Sequence, residues 1–293
     1  MLPSATELVY ALGCQDMLFG VTHECTHPVE AASKPQVIKS ALDTGLMSSA
    51  EIDAKVRQCG QNIFKLDINL LQEIMPDVIL VQDACKVCAA HATHINEALD
   101  ALPCKPLIHS MDPHSIEDIL DDIITLAEIL GVRARGAHIC ATLKERICKI
   151  DSSDGRPSVL ALEWLDPLFT SGHWIPEMIK AAGGKNLISR TGERSREMTI
   201  QEAVDADADI ILLMPCGFDA TRATSEYKIL RSNDIWQSQR AVQNGNVYAL
   251  DASSYFSKPS IRTIDGIEIL AGIIHPENNA GIVVPQNAAI KIG

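Results

Sequence analysis

The sequence predicts an α/β protein built as two Rossmann-like lobes bridged by a single long α-helix. Three observations predict it. A helix-then-strand phrase occurs twice, at residues 70–85 and 200–216. In each copy a short helical pattern stops at Pro76 or among Asp205, Asp207 and Asp209, and an all-apolar run follows, residues 78–81 and 210–214. Such runs read as strands of a parallel sheet buried on both faces. Each copy then ends in a loop bearing a cysteine, Cys85 or Cys216. Between the copies, residues 133–150 read as one uninterrupted helix, about 27 Å long at 1.5 Å per residue, and residues 152–157 (Ser-Ser-Asp-Gly-Arg-Pro) read as a linker. The expected division is an N-terminal α/β lobe over 1–112, a helical segment and backbone helix over 113–155, a C-terminal α/β lobe over 156–276 and a flexible tail over 277–293.

The elements follow in order. Residues 6–12 carry apolar side chains at helical spacing and stop at Gly13, with Ser4 or Thr6 placed to cap the start. Residues 19–22 form a short strand that enters the polar loop His23-Glu24-Cys25-Thr26-His27-Pro28, and residues 105–109 form another. Asp112-Pro113 opens a helix in the preferred order of cap and then proline. Its stripe is Ile116, Ile119, Leu120, Ile123, Leu126, Ala127 and Leu130, and Gly131 ends it. The second lobe opens with strand 158–162, followed by a short helix at 176–182 closed by Gly183-Gly184. A polar helix at 227–235, a strand at 246–250 and an amphipathic helix at 261–274 complete it.

Composition narrows the function. The 293-residue chain can hold two lobes with separate cores. Its net charge of −13, with no basic run among aromatics, argues against a nucleic-acid partner. No stretch approaches the ~18 apolar residues of a membrane span, and the first residues have neither a basic region nor an apolar one. Nine cysteines, an odd number, read as reduced thiols. The expected location is therefore the cytoplasm. No glycine-rich phosphate loop and no nucleophile elbow occur, so the chain is not expected to be an enzyme.

Chemistry-bearing residues gather at the expected strand ends. Cys85 and Cys88 have the C-x2-C spacing of a metal or redox pair, with His91 and His94 following. His23 and Cys25 alternate in an extended loop, so both could face one side while Glu24 faces the other. These four, His23, Cys25, Cys85 and Cys88, are the candidate metal ligands. Glu163, Trp164, His173 and Trp174 flank the loop that opens the second lobe, where a flat ligand needs apolar faces and polar anchors; Trp164 suits the wall and Trp174 the core. Asp251, Tyr255 and Phe256 follow the strand at 246–250, with Lys258 and Arg262 beyond.

These residues resemble the helical-backbone (class III) substrate-binding proteins of ABC importers, and within them the signal-less branch labelled cobalamin-binding protein. The resemblance rests on Leu2-Pro3-Ser4-Ala5-Thr6-Glu7, His23-Glu24-Cys25 with Pro28, and Gln82-Asp83-Ala84-Cys85-Lys86-Val87-Cys88-Ala89. It continues through Leu162-Glu163-Trp164-Leu165-Asp166-Pro167, Gly172-His173-Trp174, Met214-Pro215-Cys216-Gly217 and Asp251-Ala252-Ser253-Ser254-Tyr255-Phe256. It implies the helical-backbone periplasmic-binding-protein fold, with a ligand clamped between lobes by Phe169 and its loop to Gly172 on one side and Tyr255-Phe256 on the other. Three departures stand out. Asn69 and Gln201 occupy the places of two glutamates that dock on a permease, which removes an electrostatic match and disfavours ABC permease docking. Gln82 stands where a tryptophan packs on the corrin ring, leaving open a weaker affinity or a different ligand. The family also has a strand before Pro3, where this sequence shows Met1-Leu2.

The expected function is non-catalytic binding of a corrinoid (cobalamin-like) or a similar metal chelate. The expected ligand contacts are His23, Glu24, Cys25, Gln82, Asp83, Glu163, Trp164, Phe169, His173, Cys216, Tyr255 and Phe256. Two alternatives stay open: a cytoplasmic thiol or metal-handling redox enzyme, and an exported importer component.

Overall fold

The computed structural model describes residues 2–59, 63–82, 96, 99–100, 102–152 and 155–292. It divides into two compact α/β units. The first comprises Met1–Met47, Glu51–Pro113 and Asp118–Cys140; the second comprises Ser48–Ala50, His114–Glu117 and Ala141–Gly293.

In the first unit, α1 spans Pro3–Ala11 and starts earlier than its apolar periodicity indicated. Pro3 sits at the first helical turn, where its missing N–H costs nothing, and Leu2 precedes it in extended conformation. Ser4 and Thr6 are buried within the helix and do not cap it. Strands β1 (Val21–Thr22) and β2 (Gln36–Ser40) pair in parallel. Helix α2 (Ser49–Cys59) leads to β3 (Phe64–Leu66), antiparallel to β2. Helix α3 (Ile68–Ile74) is capped by Asp67, whose carboxylate accepts from the Leu70 amide, and ends at Met75 in the left-handed region at φ 45°. Strand β4 (Val78–Gln82) then pairs in parallel with β5 (Leu107–Met111). Only Ile79 and Val81 of β4 are fully buried, so this strand alternates where its apolar run had indicated burial on both faces.

The stripe on α4 (Ile116–Ile129) is buried from Ile116 through Ala127. Helix α5 (Arg133–Cys148) follows, two residues shorter than expected, and the division between units falls within it, after Cys140. Where α5 meets α4, a Cβ on Gly136 would stand 2.5 Å from the Ala127 Cβ, a close approach that only glycine permits.

The second unit is organised on one sheet. Its strands are β6 (Ser158–Leu165), β7 (Leu168–Thr170), β8 (Lys185–Asn186), β9 (Ile210–Leu213), β10 (Val247–Leu250) and β11 (Ala289–Lys291). The order is β11-β10-β9-β6-β7, with β8 also on β6; β6, β9 and β10 are mutually parallel in the centre, and β7 and β11 are antiparallel edges. Leu160, Leu162, Ile211, Leu213, Trp236 and Val247 form its core. Helix α6 spans Ile175–Ala181. Helix α7 (Ile200–Asp205) begins with a capping box, Thr199 Oγ1 accepting from the Glu202 amide while Glu202 accepts from the Thr199 amide.

Where one polar helix was expected at 227–235, the chain forms α9 (Lys228–Arg231) and the start of α10 (Asp234–Gln237), flanked by α8 (Ala220–Glu226) and α11 (Arg240–Gln243). The break at Asn233 has a local cause, its side chain accepting from the Ile235 and Trp236 amides and so competing with helix continuation. Short α12 (Ala252–Tyr255) and the long α13 (Arg262–Ile274) complete the helices. Arg146 binds Asp265 at 2.6 Å and Glu268 at 2.7 Å on α13. Residues 277–293, read from sequence as a flexible tail, carry β11, which pairs with β10 and follows buried Ala288.

Candidate functional site

In the second unit the carboxyl ends of three neighbouring parallel strands open into loops that bond to one another. Open α/β sheets collect ligands at such ends. After β9, the Cys216 amide donates to the Glu163 carbonyl of β6 at 3.1 Å. After β10, the Ser253 amide donates to the Phe218 carbonyl at 3.0 Å. Trp164 lies 5.3 Å from the Phe218 ring, its indole N–H fixed by the carbonyls of Ser49 and Asp166 at 3.2 Å each. Phe169 stands opposite Trp164 across the β6–β7 hairpin, and the Arg222 guanidinium lies 3.8 Å over the Phe218 ring. These are the aromatic faces of the region. Glu163, Trp164, Phe169 and Cys216 are each half-buried.

The polar anchor of the same region is a histidine pair. The Nδ1 atoms of His173 and His114 are 3.5 Å apart, and their rings stack at 5.5 Å. His173 is one of three non-glycine residues described with positive φ, at 54°. Its backbone is clamped on both sides, its amide donating to the Glu193 carbonyl at 2.7 Å and its carbonyl accepting from Gly192 at 3.0 Å. Gly172 beside it donates to the Glu163 carboxylate at 3.1 Å, and a Cβ there would collide with the Ser195 amide. Strained backbone held by several bonds is characteristic of sites that aim a side chain.

Several sequence expectations fail here for identifiable reasons. Phe256 is 3% exposed and packs on Gly266 of α13, with its carbonyl accepting from the Trp174 indole; it is a core residue and presents no surface to a ligand. Tyr255 is half-buried, and the Arg262 guanidinium covers one ring face at 4.7 Å. Asp251 serves as the α12 cap, accepting from Ser254 N. Trp174 is buried, as a core plug should be.

In the first unit, His23 and Glu24 follow β1. His23 is half-buried, its Nδ1 buried with no hydrogen-bond partner among the described residues, and its Nε2 lies 3.9 Å from a Glu24 carboxylate oxygen. Glu24 is exposed. Cys25 does not share a face with His23. The Cys25 amide donates back to the Thr22 carbonyl, a turn rather than an extended strand, so alternation does not apply. The thiol is 2% exposed and lies 3.1 Å from Thr6 Oγ1 and 3.4 Å from Thr22 Oγ1. It is not available to a metal. Gln82 ends β4, half-buried. Asp83, Cys85 and Cys88, with His91 and His94, lie outside the described residues. Among the described residues no three His, Cys, Asp or Glu side chains form a metal-holding group.

His114, Phe218 and Arg222 were not singled out from the sequence. His114 meets His173 from 59 positions away, a contact without local signature. Phe218 and Arg222 did carry one, an aromatic and a cation four apart.

Comparison with known proteins gives this region its context. The periplasmic binding protein family model matches residues 2–254. An uncharacterized ABC transporter substrate-binding lipoprotein of Bacillus subtilis is 24% identical over 94% of this chain and 79% of its own length. The vitamin B12-binding protein of Vibrio cholerae is 21% identical over 92% of this chain and 85% of its own. A heme uptake system protein of Staphylococcus aureus is 30% identical over 48% of this chain and 50% of its own. Among solved structures, the Vibrio cholerae periplasmic vitamin B12 binding protein superimposes with a TM-score of 0.66 at 20% identity, over 94% of each chain. A periplasmic heme binding protein of Pseudomonas aeruginosa gives 0.70 at 17% identity, over 94% of this chain and 91% of the other.

The expectation of a cytoplasmic protein is overturned by these relatives, which are a lipoprotein and periplasmic proteins. Thiol content and the first few residues, on which that expectation rested, do not record where a chain works. The redox-enzyme alternative falls with it, since the relatives bind rather than transform their ligands. The chain belongs to the periplasmic binding protein family, non-enzymatic substrate-binding proteins that take small-molecule ligands and work with ABC permeases.

Proposed function

We propose that this protein binds a metal-bearing tetrapyrrole of the corrinoid class at the strand-end face of its second unit. The observation that carries this reading is the convergence of the loops after β6, β9 and β10. Beside them, Trp164 of β6 and Phe169 of β7 support the reading as apolar faces, and the His173–His114 pair, after β7 and ahead of α4, supports it as nitrogen donors. Flat macrocycles need aromatic surface for stacking, and imidazole nitrogen is a suitable axial donor to cobalt or iron. The named ligands of the relatives, vitamin B12 and heme, belong to this chemical group.

The test is titration with hydroxocobalamin and, in parallel, hemin, followed by visible spectra and calorimetry. A corrinoid site gives saturable hydroxocobalamin binding with quenched Trp164 emission, weakened roughly tenfold or more in Trp164→Ala, on the scale of a lost aromatic contact of ~1.5 kcal/mol. Saturable hemin binding without cobalamin binding would move the ligand class to heme. Binding of neither would sink the proposal. A His173→Ala change abolishes any band shift that reports imidazole on the metal.

A further inference from the structure

The Trp164 indole is held at its edge by two carbonyls, and they are not equivalent. Its N–H is shared between Asp166 O and Ser49 O, each at 3.2 Å. Asp166 lies two residues on, in the turn between β6 and β7, so it moves with the ring it holds. Ser49 meets the ring from 115 positions away. It is 0% exposed and belongs, with Ser48 and Ala50, to the second unit. The Phe218 ring, 5.3 Å away and tilted by 59°, supports the indole face, but apolar contact is non-directional and does not fix rotation. Among the described residues, the hydrogen bond from outside the hairpin that sets the ring's orientation is the one to Ser49.

Ser49 is itself fixed by one carboxylate. Glu226 Oε2 accepts from the Ser49 hydroxyl at 2.8 Å and from the Ser49 amide at 3.2 Å. Ser49 is the first residue of α2, so this amide is one of the four donors that a helix start leaves without an intrahelical partner. A carboxylate is the favoured acceptor there, and its bonds are the charge-assisted kind. Glu226 is the last residue of α8. The same segment supplies Phe218 just ahead of the helix and Arg222 over the Phe218 ring. One stretch of chain thus supports the face of the indole and, through Ser49, holds its edge.

We propose that Glu226 is a positioning residue for the ligand wall: through Ser49 it sets the orientation of the Trp164 ring. With its one donor already shared between two carbonyls, the indole meets a ligand by its face alone. The proposal rests on the reading of Trp164 as a stacking wall. Stacking depends on ring orientation, so releasing Ser49 costs affinity although Glu226 acts through two other residues.

The test begins on the unliganded protein. Exchange of the three tryptophan indole N–H groups is followed by NMR, with Trp164 assigned from Trp164→Phe. Glu226→Ala speeds the Trp164 indole at least about threefold, since the bond that protected it is freed. Glu226→Gln, whose amide oxygen still accepts two bonds, leaves it unchanged. Trp174, whose N–H donates to Phe256 O at 3.1 Å, is unchanged in both. Binding is then titrated with hydroxocobalamin, or with hemin where that is what the unaltered protein binds. Glu226→Ala weakens binding about threefold or more, and Glu226→Ala/Trp164→Ala binds no more weakly than Trp164→Ala alone, because the two residues act as one unit. Additive losses overturn the proposal, as does a Trp164 indole that exchanges no faster in Glu226→Ala. Where circular dichroism shows Glu226→Ala unfolded, Ser49→Ala, which removes the hydroxyl donor and keeps the carbonyl, takes its place with the same expected directions. Where neither probe binds any form, the ligand reading falls, and the indole exchange still decides whether Glu226 sets the ring.

Discussion

Replacing Asp122 by asparagine should stabilise the protein in neutral and alkaline solution and do nothing in acid. Asp122 lies on α4, its Oδ2 buried with no hydrogen-bond partner among the described residues. Burial, reinforced by the nearby charges of Asp118, Asp121 and Asp112, pushes its carboxyl from an ordinary 3.8 to about 7. An acid whose folded pKa is raised holds its proton more tightly in the native state, so the unfolded state binds fewer protons and stability falls as pH rises. The loss begins near 3.8 and is complete just above 7. At 1.36 kcal/mol per pH unit the full difference is roughly 4 kcal/mol. The side chain is only half-buried, and solvent screening reduces this to about 2 kcal/mol. Urea unfolding of both proteins from pH 3.5 to 8.5 should therefore give coincident midpoints below pH 4 and a gap of about 2 kcal/mol at pH 8. A gap independent of pH, or a loss of stability at pH 8, would refute the reasoning.

Three further outcomes follow from particular residues. Met75→Gly relieves a left-handed backbone at the end of α3 and should raise stability by about 0.5–1 kcal/mol in chemical denaturation, strain relief exceeding the entropy that glycine adds to the unfolded chain. Trp236→Ala empties the centre of the second unit, where the ring is 0% exposed and its N–H donates to the Tyr227 hydroxyl; a cost of about 3–5 kcal/mol is expected in the same assay. Thr199→Ala breaks the capping box of α7 and should cost about 1 kcal/mol, with faster exchange confined to the first turn of that helix.

The repeated helix-strand phrase and the apolar stripe of α4 were legible because each is a local pattern. A strand of Ile and Leu and a 3.6-residue stripe are set by neighbours in the chain, and they recur in the structure at β4, β9 and α4. Glu163, Trp164, Phe169, His173 and Cys216 were expected in loops after strands, and they lie in or just after β6, β7 and β9.

What each side chain does there was decided by contacts between distant segments. Cys25 turns inward because Thr6, 19 residues earlier, supplies a hydroxyl at 3.1 Å. Phe256 and Tyr255 are adjacent, yet one is core and the other half-buried, because α13 packs on the first and its Arg262 on the second. His173 gains its partner from residue 114, and the loops after β6, β9 and β10 meet because those strands are sheet neighbours. Periodicity specifies which face of an element is apolar. Only the packed chain decides what that face meets, because contact free energy depends on segments that no local pattern brings together.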